Sequence, residues 1–155
     1  MTVTFDQIRQ LLLAFEPDYQ TAARLGSQIL PHLRTLVTGS DLLLASKAAY
    51  LAGLIDDDRA VELLRAAAQH PSPIVRVAAA GGLRNSKRPA AAGVLMSLLQ
   101  DQDAGVRKLA IKSSAMRDNS ALLAKITDIS RSDPSPGLRT LAGKAASEAR
   151  GRRTA

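Results

Sequence analysis

Apolar residues recur along this chain at helical spacing, and their pattern predicts nine helices. Ala60, Leu64 and Ala67, for example, are separated by four and then three positions, which places them on one face of a helix. Ser72-Pro73 and Ser135-Pro136 are typical of an N-cap followed by the first helical residue. The predicted helices cover residues 4–15, 19–37, 41–54, 58–69, 73–84, 88–100, 104–117, 120–131 and 136–150.

The apolar stripes recur with a period of 31 or 32 residues. Three arginine-containing segments align in one frame, and Arg76, Arg107 and Arg139 are spaced by 31 and 32 positions. Ala45, which lies 31 residues before Arg76, fits the same frame without the arginine. The stripe between these segments recurs at the same period in Ala60, Leu64 and Ala67, in Ala91, Leu95 and Leu98, and in Leu122, Ile126 and Ile129. The period predicts helix-turn-helix units, which stack into a solenoid because one unit cannot bury its stripe alone.

The aligned segments resemble the repeats of short bacterial HEAT-repeat proteins. The resemblance rests on an aspartate six positions before the arginine, as in Asp101 before Arg107 and Asp133 before Arg139, and on an apolar residue just before the arginine. It implies an all-α, right-handed α-solenoid. We expect about four HEAT-like helix pairs and an N-terminal capping helix.

The resemblance also implies roles for the recurring charged residues. In HEAT-repeat proteins an aspartate and an arginine form a ladder between adjacent repeats, and the helix that carries the arginine lines the concave face. His70 replaces the aspartate in one repeat and Ala45 replaces the arginine in another, so we expect the ladder to be incomplete at its N-terminal end. The expected structural ladder consists of Arg76, Asp101, Arg107, Asp133 and Arg139.

The whole chain is expected to form a single HEAT-like repeat domain over residues 1–155. The capping helix carries four apolar residues that we expect to cover the first exposed stripe, namely Phe5, Ile8, Leu12 and Phe15. The expected parts are the capping helix at 4–15, repeats at approximately 18–55, 57–85, 87–117 and 119–150, and a basic tail at 150–155.

Two positions leave helix boundaries open. Pro31 falls inside the predicted helix 19–37 and indicates either a kink or a new helix start. Gly81-Gly82 falls inside another helix, where each glycine costs about 1 kcal/mol relative to alanine. The glycine pair indicates either the close approach of a neighbouring helix or bound partner, or an early helix end.

The composition favours helix and argues against an enzyme. The chain has 27 alanines and 23 leucines but seven valines and seven isoleucines, and it has no cysteine or tryptophan. Cysteine chemistry is therefore excluded, and no phosphate loop, nucleophile motif or zinc spacing is present. Three adjacent acids, Asp56 to Asp58, precede a predicted helix and are interpreted as capping residues rather than a metal site. We predict no enzyme activity, no cofactor and no metal.

The chain carries no pattern of membrane insertion or secretion. Its first residues lack a basic segment followed by an apolar one, and its longest apolar stretch, residues 42–55, contains Lys47 and is too short to span a bilayer. We therefore expect a cytoplasmic protein with no membrane partner.

The formal net charge of +7 is unevenly distributed. Residues 1–62 carry eight acidic and five basic residues, whereas residues 63–155 carry six acidic and sixteen basic residues. In the arginine frame, positions one, five and eight residues after the arginine share one helix face, opposite the apolar residue that precedes it. A basic patch is predicted there, made of Arg84, Lys108, Lys112 and Lys144.

Tyr50 and Val77 continue this face toward the N-terminus as expected exposed apolar residues. An apolar centre beside charged residues is typical of a protein-binding surface. We therefore predict an adaptor or scaffold that holds an acidic protein or peptide in its concave groove through Tyr50, Val77, Arg84, Lys108, Lys112 and Lys144. The alternative is a nucleic-acid-binding module that uses the same patch with Arg150, Arg152 and Arg153. A third possibility is self-association through a solenoid end, and the oligomeric state stays open.

Overall fold

The computed structural model describes residues 2–155, which form ten α-helices and no strand. The all-α fold predicted from the apolar pattern is confirmed. The helices are α1 (Phe5–Leu13), α2 (Tyr19–Ala23), α3 (Leu30–Val37), α4 (Leu42–Gly53), α5 (Asp58–Ala67), α6 (Pro73–Asn85), α7 (Ala91–Leu98), α8 (Ala104–Ala115), α9 (Ser120–Ser132) and α10 (Pro136–Thr154).

Local sequence determines where most helices begin. Asp41, Asp103 and Ser135 each accept a hydrogen bond from the backbone N–H three residues later, at 3.0, 3.0 and 3.3 Å. Thr4 and Gln7 close a capping box, because each side chain accepts from the backbone N–H of the other residue. Such caps satisfy N–H groups that have no partner inside the helix.

The predicted helix 19–37 is divided into α2, a 3-10 turn at Gly26–Ile29, and α3. Gly26 has a φ of 72°, a left-handed conformation that glycine adopts without steric cost. Pro31 lies in the first turn of α3, where the missing N–H removes no helical hydrogen bond. Pro31 therefore starts a new helix and does not kink a continuous one.

The last eight helices form four pairs in two layers. Helices α3, α5, α7 and α9 pack side by side in one layer, which we call the outer layer. Helices α4, α6, α8 and α10 do the same in the other, the inner layer, and each packs on the helix that precedes it in the chain. One continuous apolar core lies between the layers, from Ile8 to Ala146. This arrangement is the stacked solenoid that the sequence period predicted.

Alanine and glycine let the inner-layer helices approach closely. A Cβ added to Gly53 of α4 would lie 2.1 Å from the carbonyl oxygen of Gly82 in α6, and a Cβ on Gly82 would lie 2.9 Å from the Ala49 oxygen. Helix α6 continues to Asn85, so the glycine pair does not end the helix early. Gly82 is required by the close packing of α4, whereas a Cβ on Gly81 would make only an ordinary contact, 4.0 Å from the ring of Tyr50.

The N-terminal cap differs from the expectation at one residue. Ile8 and Leu12 are fully buried and Phe5 is half-buried, as the predicted stripe requires. Phe15, however, is 95% exposed. Helix α1 ends at Leu13, and the following backbone turns to an extended conformation, so Phe15 no longer follows the helical stripe.

The C-terminal boundary also differs from the expectation. Helix α10 was predicted to end at residue 150, with a basic tail after it. In the structure α10 continues to Thr154, so the arginines of the expected tail belong to the last turns of a helix.

Candidate functional site

Two arginines join successive repeats. Arg76 donates from Nε and Nη2 to the two carboxylate oxygens of Asp101, at 2.8 and 3.1 Å. Arg107 makes the same pair of bonds to Asp133, at 2.8 and 3.0 Å. All four side chains are largely buried, and the two-pronged geometry fixes both partners.

The third nitrogen of each guanidinium binds within its own repeat. Nη1 of Arg76, Arg107 and Arg139 donates to the carbonyl oxygen six residues earlier, at 2.9, 2.9 and 2.6 Å. Each arginine therefore holds the turn before its own helix, and the first two also hold the turn of the following repeat. Arg76 and Arg107 therefore have little capacity left for a ligand, whereas Arg139 binds only through Nη1 and joins no following repeat within residues 2–155.

One rung of this ladder is absent at the N-terminal end. Ala45 and His70 are 25 positions apart, the same separation as Arg76 and Asp101, so both departures from the pattern fall on one rung. His70 still accepts a hydrogen bond from the Ser72 backbone N–H at 3.0 Å through Nδ1. His70 thus preserves the turn. It provides no carboxylate, but Ala45 has no side-chain group that could pair with one.

Asp133 is a buried carboxylate that the ladder keeps charged. Burial alone would raise the pKa of Asp133, but the hydrogen bonds from Arg107 and from the Ser135 backbone N–H outweigh it and lower the pKa below its usual range. The charged form is therefore favoured in the folded protein.

Four basic side chains lie on the solvent side of the inner layer. Arg84 extends from α6, Lys108 and Lys112 from α8, and Lys144 from α10, and all four are exposed. Within residues 2–155 none of them forms an ion pair or a side-chain hydrogen bond. We call this set the basic face.

The two apolar residues predicted to extend the basic face differ from one another. Tyr50 is 36% exposed, and its ring packs edge-on against Tyr19 of α2, with 4.9 Å between ring centres. Val77 packs against the core and is half-buried, whereas an exposed apolar residue was expected at this position. Tyr19 was not predicted, because no repeat frame links α2 to α4.

The remaining arginines of the C-terminal half are mostly engaged within the protein. Arg117 donates to the carbonyl oxygens of Ser86 and Arg88, at 2.6 and 2.8 Å. Three arginines of α10 fold back onto the chain: Arg150 binds Thr127, Arg152 binds the Ala115 carbonyl, and Arg153 pairs with Asp118. The expected basic tail is therefore folded against the solenoid rather than free.

The three adjacent acids have partners that explain them. Asp57 caps α5, and the hydrogen bonds from Arg59 lower the pKa of Asp57 to about 2. Nε of Arg88 lies 2.8 Å from Oδ1 of Asp56, and Nη1 of Arg88 lies 3.8 Å from Oδ1 of Asp58. In the part of the chain that the structure describes, no group of three acidic or histidine side chains is arranged to hold a metal ion.

Comparisons with known proteins identify the repeats. A family model described as HEAT repeats matches residues 62–147, more than half of the chain. The crystal structure of an engineered protein from a structural genomics consortium superposes with a TM-score of 0.54 at 19% identity, covering 97% of this chain and 87% of that one. No curated protein matches the sequence. None of the helices described here is long and apolar enough to cross a membrane.

Proposed function

The chain belongs to the HEAT-repeat family, and from that premise we propose that its basic face binds an acidic protein or peptide. HEAT repeats are generally scaffolds for protein interactions and are typically not enzymes. The protein would accordingly act as a small adaptor, with Arg84, Lys108, Lys112 and Lys144 as the charged contacts.

The proposal is carried by the grouping of four cations, unpaired in the described part of the chain, on three adjacent helices of the inner layer, α6, α8 and α10. Arginines of the ladder and of α10 are held by carboxylates, carbonyl groups or a hydroxyl group, whereas the four side chains of the basic face have no polar partner in residues 2–155. Like charges on neighbouring helices repel one another, and an acidic partner would replace that repulsion by attraction. Such a surface also increases the association rate of an acidic partner, in a manner that falls with salt.

Tyr50 supports a protein partner because it adds an apolar contact beside the charges. Its ring packs edge-on against Tyr19 on one side and stands beside Gly81 of α6, which has no side chain to cover it. A rigid, half-exposed aromatic ring loses little entropy when it is covered, which is typical of residues that contribute most to protein binding.

The test is a charge reversal with a matched control. The variant Lys108→Glu, Lys112→Glu, Lys144→Glu should bind a fluorescent peptide rich in aspartate and glutamate at least tenfold more weakly than the native chain, with an unchanged helical circular-dichroism signal. The control variant reverses three basic residues of the outer layer, Arg34, Lys125 and Arg131, and changes the net charge equally. If both variants lose affinity equally, net charge and not the basic face is responsible.

A nucleic acid is the other class of ligand that this face could attract. Phosphate contacts give a binding constant whose logarithm falls linearly with the logarithm of salt concentration. A gel-shift titration at two salt concentrations distinguishes the classes, since a salt-dependent shift that the charge reversal abolishes would replace the acidic protein by nucleic acid. The internal contacts of Arg150, Arg152 and Arg153 leave these residues with less capacity for phosphate than a free tail would have.

A further inference from the structure

Exposed apolar side chains are concentrated at the N-terminal end of the solenoid. Phe15 is 95% exposed, Leu43 is 64% exposed and Leu11 is 40% exposed. Leu13 and Leu42 at the same end are also exposed. Large apolar side chains scattered singly over a surface are ordinary, but a group of them marks an interaction site.

Lys47 joins α4, which carries Leu42 and Leu43, to the end of α1, which carries Leu11 and Leu13. Nζ of Lys47 in α4 donates to the carbonyl oxygens of Leu12 and Ala14, at 2.9 and 2.8 Å. The ammonium group of Lys47 is therefore engaged by backbone carbonyl groups at the end of α1. Leu43 lies one turn before Lys47 on α4.

A groove opens along the side of α1 that faces away from the core. Its volume is about 720 Å³, and Val3, Leu11, Ala14 and Leu25 provide its apolar lining. The charged residues that line the groove are both acidic, Asp6 in the first turn of α1 and Asp18 at the cap of α2, and the remainder are Gln7 and Gln10. Asp18 accepts a hydrogen bond from the Thr21 backbone N–H at 3.0 Å, which lowers the pKa of the Asp18 carboxyl group.

We propose that this N-terminal groove binds a segment of a partner protein that carries apolar side chains flanked by lysine or arginine. The apolar lining accepts the apolar side chains, and Asp6 and Asp18 attract the flanking cations. The site is distinct from the basic face in position and in charge, so its partner has the opposite polarity. An adaptor with one acidic and one basic site can hold two different partners together.

A second copy of this chain is a poorer occupant of the groove. The basic part of the chain, residues 63–155, exposes only Ile74 and Met116 among the large apolar side chains that the structure describes. Two N-terminal grooves facing each other would bring the acidic side chains of both copies together, which is unfavourable. Charge complementarity therefore favours a basic, apolar segment of another protein.

The probe for this site is a synthetic helical peptide of leucine and lysine, compared with the same peptide carrying glutamate in place of lysine. The net charge of +7 repels a cationic peptide overall, so its binding reports a local acidic site. We expect the Leu/Lys peptide to bind in fluorescence anisotropy, with affinity at least tenfold lower for Leu11→Ser, which lies in the lining of the groove, and severalfold lower for Asp6→Asn. The matched control is Ile74→Ser, which replaces a 58% exposed apolar residue on α6 and should leave binding unchanged.

The outcomes separate this proposal from the basic face. Absence of binding by the Leu/Lys peptide, or equal binding by the native chain and by Leu11→Ser, would overturn the groove. A native dimer in light scattering that Leu11→Ser converts to a monomer would assign the surface to a second copy instead. Asp6→Asn keeps the test valid if Leu11→Ser unfolds, because Asp6 is an exposed residue in the first turn of α1 and lies outside the core. The Lys108, Lys112 and Lys144 reversal should not weaken binding of the Leu/Lys peptide, whatever it does to acidic peptides.

Discussion

Replacing Gly53 by alanine tests the close contact between α4 and α6 that organises the inner layer. The added Cβ would lie 2.1 Å from the oxygen and 2.4 Å from the carbonyl carbon of Gly82. Both atoms belong to the backbone of α6 and cannot rotate away. The two helices would have to separate by about 1.4 Å to restore an ordinary contact of about 3.5 Å.

The expected cost follows from two opposing effects. Alanine improves helix propensity by at most about 1 kcal/mol. Overpacking costs about 1–3 kcal/mol and more where the backbone must move, so Gly53→Ala should lower the free energy of unfolding by about 2 kcal/mol. Gly81→Ala is the matched control, because its Cβ would meet only the Tyr50 ring at 4.0 Å. That variant should gain about 1 kcal/mol from propensity alone.

Urea unfolding followed by the helical circular-dichroism signal measures both variants. A difference of about 3 kcal/mol between them corresponds to midpoints separated by at least about 1 M, given a slope of about 1–3 kcal/mol/M. If Gly53→Ala proved as stable as Gly81→Ala, the close approach of α4 and α6 would not exist in solution, and the placement of the inner layer would have to be revised.

Three further predictions concern the ladder and the cap. Asp133→Asn should lower the free energy of unfolding by about 3 kcal/mol in urea titrations, because it leaves Arg107 buried without a carboxylate. Because the pKa of Asp133 is lowered in the folded protein, its stabilising effect is present above the ordinary aspartate pKa of about 4 and is lost as pH falls through the lower folded value. The urea midpoints of the native chain should therefore fall more steeply below about pH 4 than those of Asp133→Asn. Parallel curves for the two proteins would contradict this. Ala45→Arg and His70→Asp should each destabilise the protein alone. In a double-mutant cycle they should couple favourably by about 1 kcal/mol or more, because together they restore the missing arginine–aspartate pair. Additive effects would show that this site cannot hold such a pair. Lys47→Met should increase amide hydrogen exchange in α1 but not in α9, because the lysine holds the end of α1 through Leu12 and Ala14; unchanged exchange would mean that apolar packing alone positions α1.

Much of the ladder follows from the period once the resemblance to HEAT repeats assigns the aspartate and the arginine to it. Arg76 and Arg107 occupy equivalent positions in successive units, so a carboxylate 25 or 26 residues later falls beside each of them. The same frame explains why Ala45 and His70 depart from the pattern together. The exposure of Lys108, Lys112 and Lys144 is likewise a consequence of helical geometry.

The contacts between non-equivalent residues do not follow from the period. Phe15 has the spacing of a core residue but lies beyond the end of α1. Tyr19 meets Tyr50 only because α2 folds across α4, and Val77 turns partly into the core although its position predicts exposure. No local signal marks these outcomes, because each depends on how the broken helix of the first repeat crosses its neighbours.

The sequence by itself determined most of the helices and caps and the repeat unit, because those features depend on interactions within a turn or on a strict period. Only the tertiary structure decided which cations are free and which apolar residues are uncovered. Arg117 reaches Ser86 across 31 positions and Arg150 reaches Thr127 across 23, so their charges are engaged by other helices. The physical reason is that a side chain's partners in a solenoid come from neighbouring helices of its own or the adjacent repeat, and its remaining capacity for a ligand is known only after the repeats are stacked.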